Sequence, residues 1–285
     1  MIRLFVADVD GTLLNEDSQL EEKTIEAIRR FQKQGGIFMI ATGRNSWEVD
    51  EITSRIDDAV INCANGAVLI DENGQVICSR FLDEETVRKV IGLCRETGTP
   101  VEFHCPDRTC TFWDKQSLKD RAMEVFRRSF DEQGAEEFFR IIFEKPEMCF
   151  DLAEEEICRG KVTKAEILFM KDEVRGYLHK CVESLNNCSF SFVDFMKNIE
   201  ITSDKADKGL AISTFCQIKG IDEKETAVAG DSGNDITMLK RFENSYAMAN
   251  ADEETKKAAK HVCGSNRELG IAKLLNEICD ENERI

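Results

Sequence analysis

A chain of 285 residues with 42% hydrophobic and 33% charged residues has the material for one large domain or two smaller ones, under a well-covered surface. Its formal charge of -17, with no basic stripe in any segment, excludes a nucleic-acid footprint and simple docking to anionic membrane. An anionic substrate would therefore need a local positive site, made by a metal ion or by a specific Lys or Arg.

The chain enters a strand-like apolar run at residues 2–7, which leaves no room for a signal peptide, and no stretch reaches the roughly 18 apolar residues of a spanning helix. A cytoplasmic home is expected, with the twelve cysteines reduced and most of them acting as small core residues. The first run, bounded by Asp and Gly, reads as a fully buried parallel strand. A helix follows from about Leu20, with Ile25, Ile28 and Phe31 on one face, Ser18 as N-cap and Gly35-Gly36 as its end. Residues 37–41 form the next buried strand, and strand–helix–strand in this order is a right-handed βαβ unit.

The middle of the chain has another texture. Short strands at residues 101–103 and 165–169 alternate with amphipathic helices at about 84–96, 118–130 and 173–185. An insertion this long cannot be a plain loop, so residues 83–189 are expected to fold as a separate α+β domain. The one crowded cysteine spot, His104-Cys105 with Cys110, lacks paired zinc-ligand spacing and reads as ordinary side chains of that domain. The C-terminal part returns to the first idiom. A helix opens at Lys208-Gly209-Leu210, residues 226–229 are a buried strand, and 246–249 and 261–262 are two more. Residues 1–82 and 190–285 together are expected to form one doubly wound, Rossmann-like parallel sheet.

Ligands of such sheets gather at the carboxyl ends of the strands. Four polar stretches stand there: Asp8-Val9-Asp10-Gly11-Thr12, Thr42-Gly43-Arg44, Lys208-Gly209 and Gly230-Asp231-Ser232-Gly233-Asn234-Asp235. In this order they resemble the four motifs of the haloacid dehalogenase (HAD) superfamily of phosphotransferases. Asn65-Gly66-Ala67 and the stretch from Ala247 to Ala251 are also similar to the Cof-type, sugar-phosphatase-like hydrolases, with Ala249 where that subfamily usually has Gly. The resemblance spans nearly the whole chain and implies a HAD core with an inserted cap of the C2 type, which would close over the core, exclude water and choose the leaving group.

The resemblance also implies roles. Asp8 would be the nucleophile that forms an aspartyl-phosphate, and Asp10 the acid and base that protonates the leaving alkoxide and later activates water. Relatives that transfer phosphate in ATPases carry Thr at that second position and dehalogenases lack the Asp, so Asp10 points to phosphomonoester hydrolysis. Carboxylate and phosphate dianion repel by about 4 kcal/mol per charge pair at 4 Å and an effective dielectric near 20. A Mg²⁺ ion held by Asp8, Asp231 and the carbonyl of Asp10 would cancel most of that, with Asn234 and Asp235 holding metal-bound water and the Lys208 ammonium. Thr42, Gly43, Lys208 and Asn234 would bind the phosphate, while Arg44 and Asn250 are candidates for touching the rest of the substrate. The partner expected is a small phosphorylated metabolite, sugar phosphates first; the oligomeric state stays open. A phosphosugar mutase of the same superfamily and a non-catalytic metabolite-binding regulator are the alternatives. EF-hand calcium binding fails, because starting at Asp231 puts Phe242 where the bidentate Glu belongs. Nucleotide loops fail too, since no Gly-x-Gly or Walker A sequence occurs.

Overall fold

The computed structural model of the chain describes residues 1–193 and 198–284. Its backbone divides into two compact units, Met1–Ser79 with Ala206–Ile285, and Arg80–Lys205.

In the first unit, β1 (Leu4–Ala7) is buried at every residue and leads through a tight turn to α1 (Glu22–Lys33). Then come β2 (Ile37–Ala41), the short α2 (Asp50–Thr53), β3 (Val60–Cys63), β4 (Val68–Ile70) and β5 (Val76–Ser79). Ser18 does not cap α1: it takes a left-handed φ of 56° in a turn, and Glu21 holds the N-cap position. That turn is pinned by Asn15, whose Oδ1 accepts from the amides of Asp17 and Gln19 at 3.0 and 2.9 Å. A short polar side chain has here bonded its own backbone instead of opening a helix.

The second unit opens with α3 (Glu84–Thr97), capped by Asp83, and β6 (Val101–His104), β7 (Thr109–Cys110), α4 (Lys115–Phe126) and α5 (Glu132–Phe143) follow. It continues with β8 (Met148–Cys149), α6 (Glu154–Arg159), β9 (Lys164–Ile167), α7 (Asp172–Glu183), β10 (Cys188–Val193) and β11 (Asn198–Ser203). Its sheet runs β10-β11-β9-β6-β7-β8. Strand alternation sets Val101, Phe103, Ala165, Ile167, Ile199 and Ile201 on one face, in a core shared with α3 and α7. The crossing back to the first unit, expected near residue 190, instead falls at 205/206. Residue 190 lies inside β10, which pairs along its length with β11, and β11 pairs with β9, so all three strands belong to one sheet.

The chain returns through α8 (Lys208–Lys219), β12 (Thr226–Gly230), α9 (Ile236–Arg241), β13 (Asn244–Ala247), α10 (Glu253–Ala258), β14 (His261–Val262) and α11 (Gly270–Asn282). The first unit's sheet has the order β14-β13-β12-β1-β2-β3-β4-β5. It is parallel from β14 to β3, and β4 and β5 add an antiparallel edge. Both faces are covered. One core contains Phe5, Phe31 and Phe38 with Leu275 and Ile278, and the other contains Leu4, Val6, Met39, Phe215 and Leu239. Burial on both faces explains why β1, β2 and β12 are continuous apolar runs. No helix among the described residues is long and apolar enough to cross a membrane.

Candidate active site

Register places the site. Ala7 lies beside Ile40 of β2 and Ala229 of β12, so the residues just past these strands come out along one edge. Asp8 follows β1 directly, and its amide donates to the Ala229 carbonyl at 3.0 Å. Thr42 follows β2 and Asp231 follows β12. Lys208 is the first residue of α8 and its side chain is wholly buried.

The Lys208 ammonium sits 2.7 Å from Oδ1 of Asp8 and 2.7 Å from Oδ1 of Asp235. The other Asp235 oxygen accepts from the amides of Asp231 and Ser232 at 3.0 and 3.1 Å, which fixes the turn after β12. Gly230 must be glycine here, because a Cβ would fall 2.5 Å from the Asp235 carboxyl carbon. Asp231 Oδ1 accepts from the Thr12 hydroxyl at 2.9 Å. Gly11, at φ 76°, lets the first loop pass so close that a Cβ would lie 2.2 Å from Asp231 Oδ2.

Electrostatics follow from this crowding. Burial pushes the Asp8 carboxyl up to about 8; Lys208 opposes the rise, and Asp235 and Asp231 add to it. Burial likewise lifts Asp231 to about 6, against the Thr12 hydrogen bond. Burial works against the charged form of Lys208, but Asp235 and Asp8 together outweigh it, so the ammonium is held more firmly than usual. Three carboxylates against one ammonium leave the fully ionised cluster two positive charges short of balance. Oxygen atoms of Asp8, Asp231 and Asp235 all lie within 4.8 Å of one another. An all-carboxylate set with that charge deficit suits a hard divalent cation.

Asp10 stands apart from the cluster. Its two oxygens face Arg44, with Nε to Oδ2 at 2.9 Å and Nη2 to Oδ1 at 2.5 Å. Arg44 in turn donates from Nη1 to the Glu48 carbonyl at 3.3 Å, and its amide to the Thr42 hydroxyl at 3.1 Å. The Asp10 carboxylate lies outside the oxygen cluster, which leaves its backbone carbonyl, the atom expected to face the ion, for that part. Asn234 bonds Asn65 Oδ1 at 3.0 Å and receives the Ser232 hydroxyl at 2.7 Å. A Cβ on Gly43 would lie 3.1 Å from Asn65 Oδ1, so Gly43, Asn65 and Asn234 meet. The Asn250 side chain is spent on backbone, donating to the Gly11 carbonyl at 2.8 Å and accepting from the Asn266 amide at 3.1 Å.

A family model described as a haloacid dehalogenase-like hydrolase matches residues 5–275. The chain belongs to that family. Its curated relatives include the 5-amino-6-(5-phospho-D-ribitylamino)uracil phosphatase YwtE of Bacillus subtilis, 24% identical over 97% of this chain and 98% of the relative. Phosphatase YwpJ of the same organism is 27% identical over 97% and 100%. Among solved structures, a HAD-superfamily phosphatase from Bacteroides thetaiotaomicron superposes with a TM-score of 0.79 at 24% identity, covering 97% of this chain and 95% of its own. A haloacid dehalogenase-like hydrolase from B. subtilis gives 0.78 at 24% identity, covering 97% and 100%. These likenesses show the fold, and the family's named phosphatases make this HAD-type hydrolase an enzyme of the phosphatase class.

Three residues of this HAD-type hydrolase carry site geometry to which the sequence assigns no role. Thr12 holds Asp231, as above. Asn62, wholly buried, donates to the Lys208 carbonyl at 3.1 Å and ties β3 to the start of α8. Asn65 adopts φ 54°, ψ 35° to reach Asn234; Asn tolerates that region better than most residues, which makes Asn-Gly a turn signal. In the second unit, His104 does not join Cys105 and Cys110. Cys105 and Cys110 pack in the apolar core, while His104 lies on the other face, with Nε2 3.5 Å from Glu166 and 3.9 Å from Glu102.

Proposed function

We propose that the chain is a Mg²⁺-dependent phosphomonoester hydrolase that works through an aspartyl-phosphate on Asp8. The observation that carries this reading is the buried Lys208 ammonium bridging Asp8 and Asp235 beside Asp231. It provides a nucleophilic carboxylate, a fixed positive charge and a set of oxygens for a hard ion at one sheet edge.

In this reading Asp8 attacks phosphorus and the bond from phosphorus to the ester oxygen breaks. Asp10 gives its proton to the departing alkoxide, then takes one from the water that attacks the aspartyl-phosphate, so inorganic phosphate leaves and Asp8 is restored. Lys208, the Thr42 hydroxyl and the Gly43 amide hold the phosphoryl oxygens, and Asn234 and Asp235 keep that frame in place. Asp8, Asp231 and the Asp10 carbonyl would hold Mg²⁺, whose charge offsets that of the phosphate dianion. Arg44 acts first on Asp10, and Asn250 on the Gly11 loop. The second unit, residues 80–205, is assigned the part of a substrate-selecting cap.

Small phosphorylated metabolites fit the relatives' printed activities, which include a phosphoribitylamino-uracil phosphatase and a sugar phosphatase. The deciding experiment measures free phosphate from a panel of phosphorylated metabolites, with Mg²⁺ and with chelator. Net phosphate release that depends on Mg²⁺ is expected. Isomerised sugar phosphate without release would favour a mutase, and silence across the panel would favour a binding protein.

A further inference from the structure

A cleft of about 310 Å³ opens in the first unit beside the proposed acid, between the turn after β1 and the segment leading into α2. Its floor includes Leu20 and Ile52, both nearly buried. Its walls include Arg44, Glu48, Glu51 and Arg55. Arg44 is the link to the chemistry: the guanidinium that lines the cleft also grips both oxygens of Asp10. Asp10 thus touches the cleft through Arg44.

The cleft is built rather than incidental. Its turn is pinned by Asn15, and Arg55 Nη1 donates to the Leu20 carbonyl at 2.8 Å, joining the two walls. Arg55 Nη2 also meets Glu22 at 3.2 Å. Glu48 Oε2 accepts from the Asn45 amide at 2.8 Å. Both arginines are therefore matched by acids, whereas no ion pair or hydrogen bond engages the Glu51 side chain among the described residues. The cleft keeps a negative balance, so it disfavours a second phosphate or a carboxylate. At roughly 30 Å³ per water it has room for about ten waters, the bulk of a five- or six-carbon chain. The lining is mostly polar, with Leu14, Leu20 and Ile52 as its apolar part, which suits a chain that carries hydroxyl or amino groups.

We propose that this cleft is a leaving-group subsite of the core, and that Glu51 selects phosphate esters whose distal end carries an ammonium or hydroxyl donors. The proposal rests on the phosphatase reading above and assigns part of the substrate choice to the core itself.

The test compares kcat/KM for glucosamine 6-phosphate, 6-phosphogluconate and acetyl phosphate, whose two-carbon leaving group serves as the short reference. Wild-type enzyme is expected to prefer the amino sugar over the sugar acid. Glu51→Lys should shift that preference at least tenfold toward 6-phosphogluconate, a gain that misfolding cannot imitate. Ile52→Trp, which fills the cleft, should lower both six-carbon esters at least tenfold relative to acetyl phosphate. Preference ratios unchanged by both substitutions, with acetyl phosphate still turned over, would overturn the subsite alone. Wild-type enzyme inert toward all three would overturn the phosphatase reading on which it rests.

Discussion

Arg44 holds Asp10 by two hydrogen bonds across 34 residues of chain, a fork that ties the loop after β1 to the segment leading into α2. The bond to Asp10 lifts the Arg44 pKa further above its ordinary range, although burial opposes it. The fork fixes the direction of the Asp10 side chain and has to open to free it for a leaving group. Arg44→Ala is expected to lower kcat/KM about 10–100-fold, since a charge-assisted pair of this kind contributes roughly 1.5–3 kcal/mol. Arg44→Lys should recover little, because a single ammonium cannot reproduce the planar fork. Steady-state kinetics on one phosphomonoester decides it; full activity in Arg44→Lys would reduce the fork to a surface contact.

Asp8→Asn should abolish phosphate release and leave the fold intact. The amide keeps an oxygen for Lys208 while removing a carboxylate whose ionisation burial penalises, so thermal stability in the absence of metal should be unchanged or raised. Circular dichroism melts beside a phosphate assay check both halves. Residual turnover above background would remove Asp8 as nucleophile.

Lys208→Met would leave Asp8 and Asp235 buried without their shared ammonium. Stripping one partner from a buried ion network costs about 3–5 kcal/mol. Added Mg²⁺ should recover more stability in the variant than in wild type. A ligand that binds only the folded state contributes about 2.7 kcal/mol at 100 times its Kd. Chemical denaturation with and without Mg²⁺ measures this. Equal Mg²⁺ effects on both proteins would mean that the cation is held elsewhere.

How much of this was legible in the sequence depends on what each residue answers to. β1, β2 and β12 could be read because burial on both faces demands unbroken apolar runs, and the polar residues that end them mark the site edge. The unit boundary at 205/206 could not, because β10 and β11 alternate polar and apolar side chains as a half-covered antiparallel pair does, and nothing local says which sheet they join. Motif order points to Asp235 as a holder of the Lys208 ammonium, but the equal grip of Lys208 on Asp8 depends on how closely the ends of β1 and α8 approach. The Arg44–Asp10 fork was illegible, since it is set by the rotamers of two half-exposed side chains on different loops. The polar face of the second sheet was readable in principle: Glu102 and His104, Lys164 and Glu166 are charged or titratable residues at alternate positions of apolar strands.

That face yields an acid-sensitivity prediction. Burial alone would push the Glu166 carboxyl up, but Lys164 at 3.4 Å, His104 at 3.5 Å and Asn198 at 2.9 Å outweigh it and hold Glu166 well below the usual carboxylate range. Glu102 and Glu200 also face the group, and Lys164 reaches Glu200 at 3.0 Å. A carboxyl whose folded pKa is depressed stabilises the fold above its unfolded value, about 4.3, and loses that contribution as pH falls toward the folded value. Glu166→Gln should therefore lower stability at pH 7, and its gap to wild type should narrow steadily as pH falls from about 4.3 toward 2. Denaturation midpoints taken across that range test it, and a constant gap between the two proteins would contradict the linkage.

Gly66 couples the turn after β3 to the placement of Lys208. It sits at φ 93°, and a Cβ there would lie 2.3 Å from the Asp207 carbonyl oxygen, an atom of rigid backbone that cannot swing aside. Asp207 caps α8, accepting from the Leu210 amide at 2.7 Å, so any shift of its carbonyl displaces the first turn of the helix that carries Lys208. Asn62, bonded to the Lys208 carbonyl, would be pulled with it. Gly66→Ala is expected to cost about 2–3 kcal/mol of stability, the usual scale of a strained backbone position. It should also lower kcat more than KM, because the side chain displaced first is Lys208, which holds Asp8. Gly74→Ala is the control: it has a similar φ of 76° but open space around the new carbon. It should cost stability and leave kcat near wild type. If both variants lose kcat equally, the effect is general strain, and the close approach of Gly66 to Asp207 has no special hold on the site.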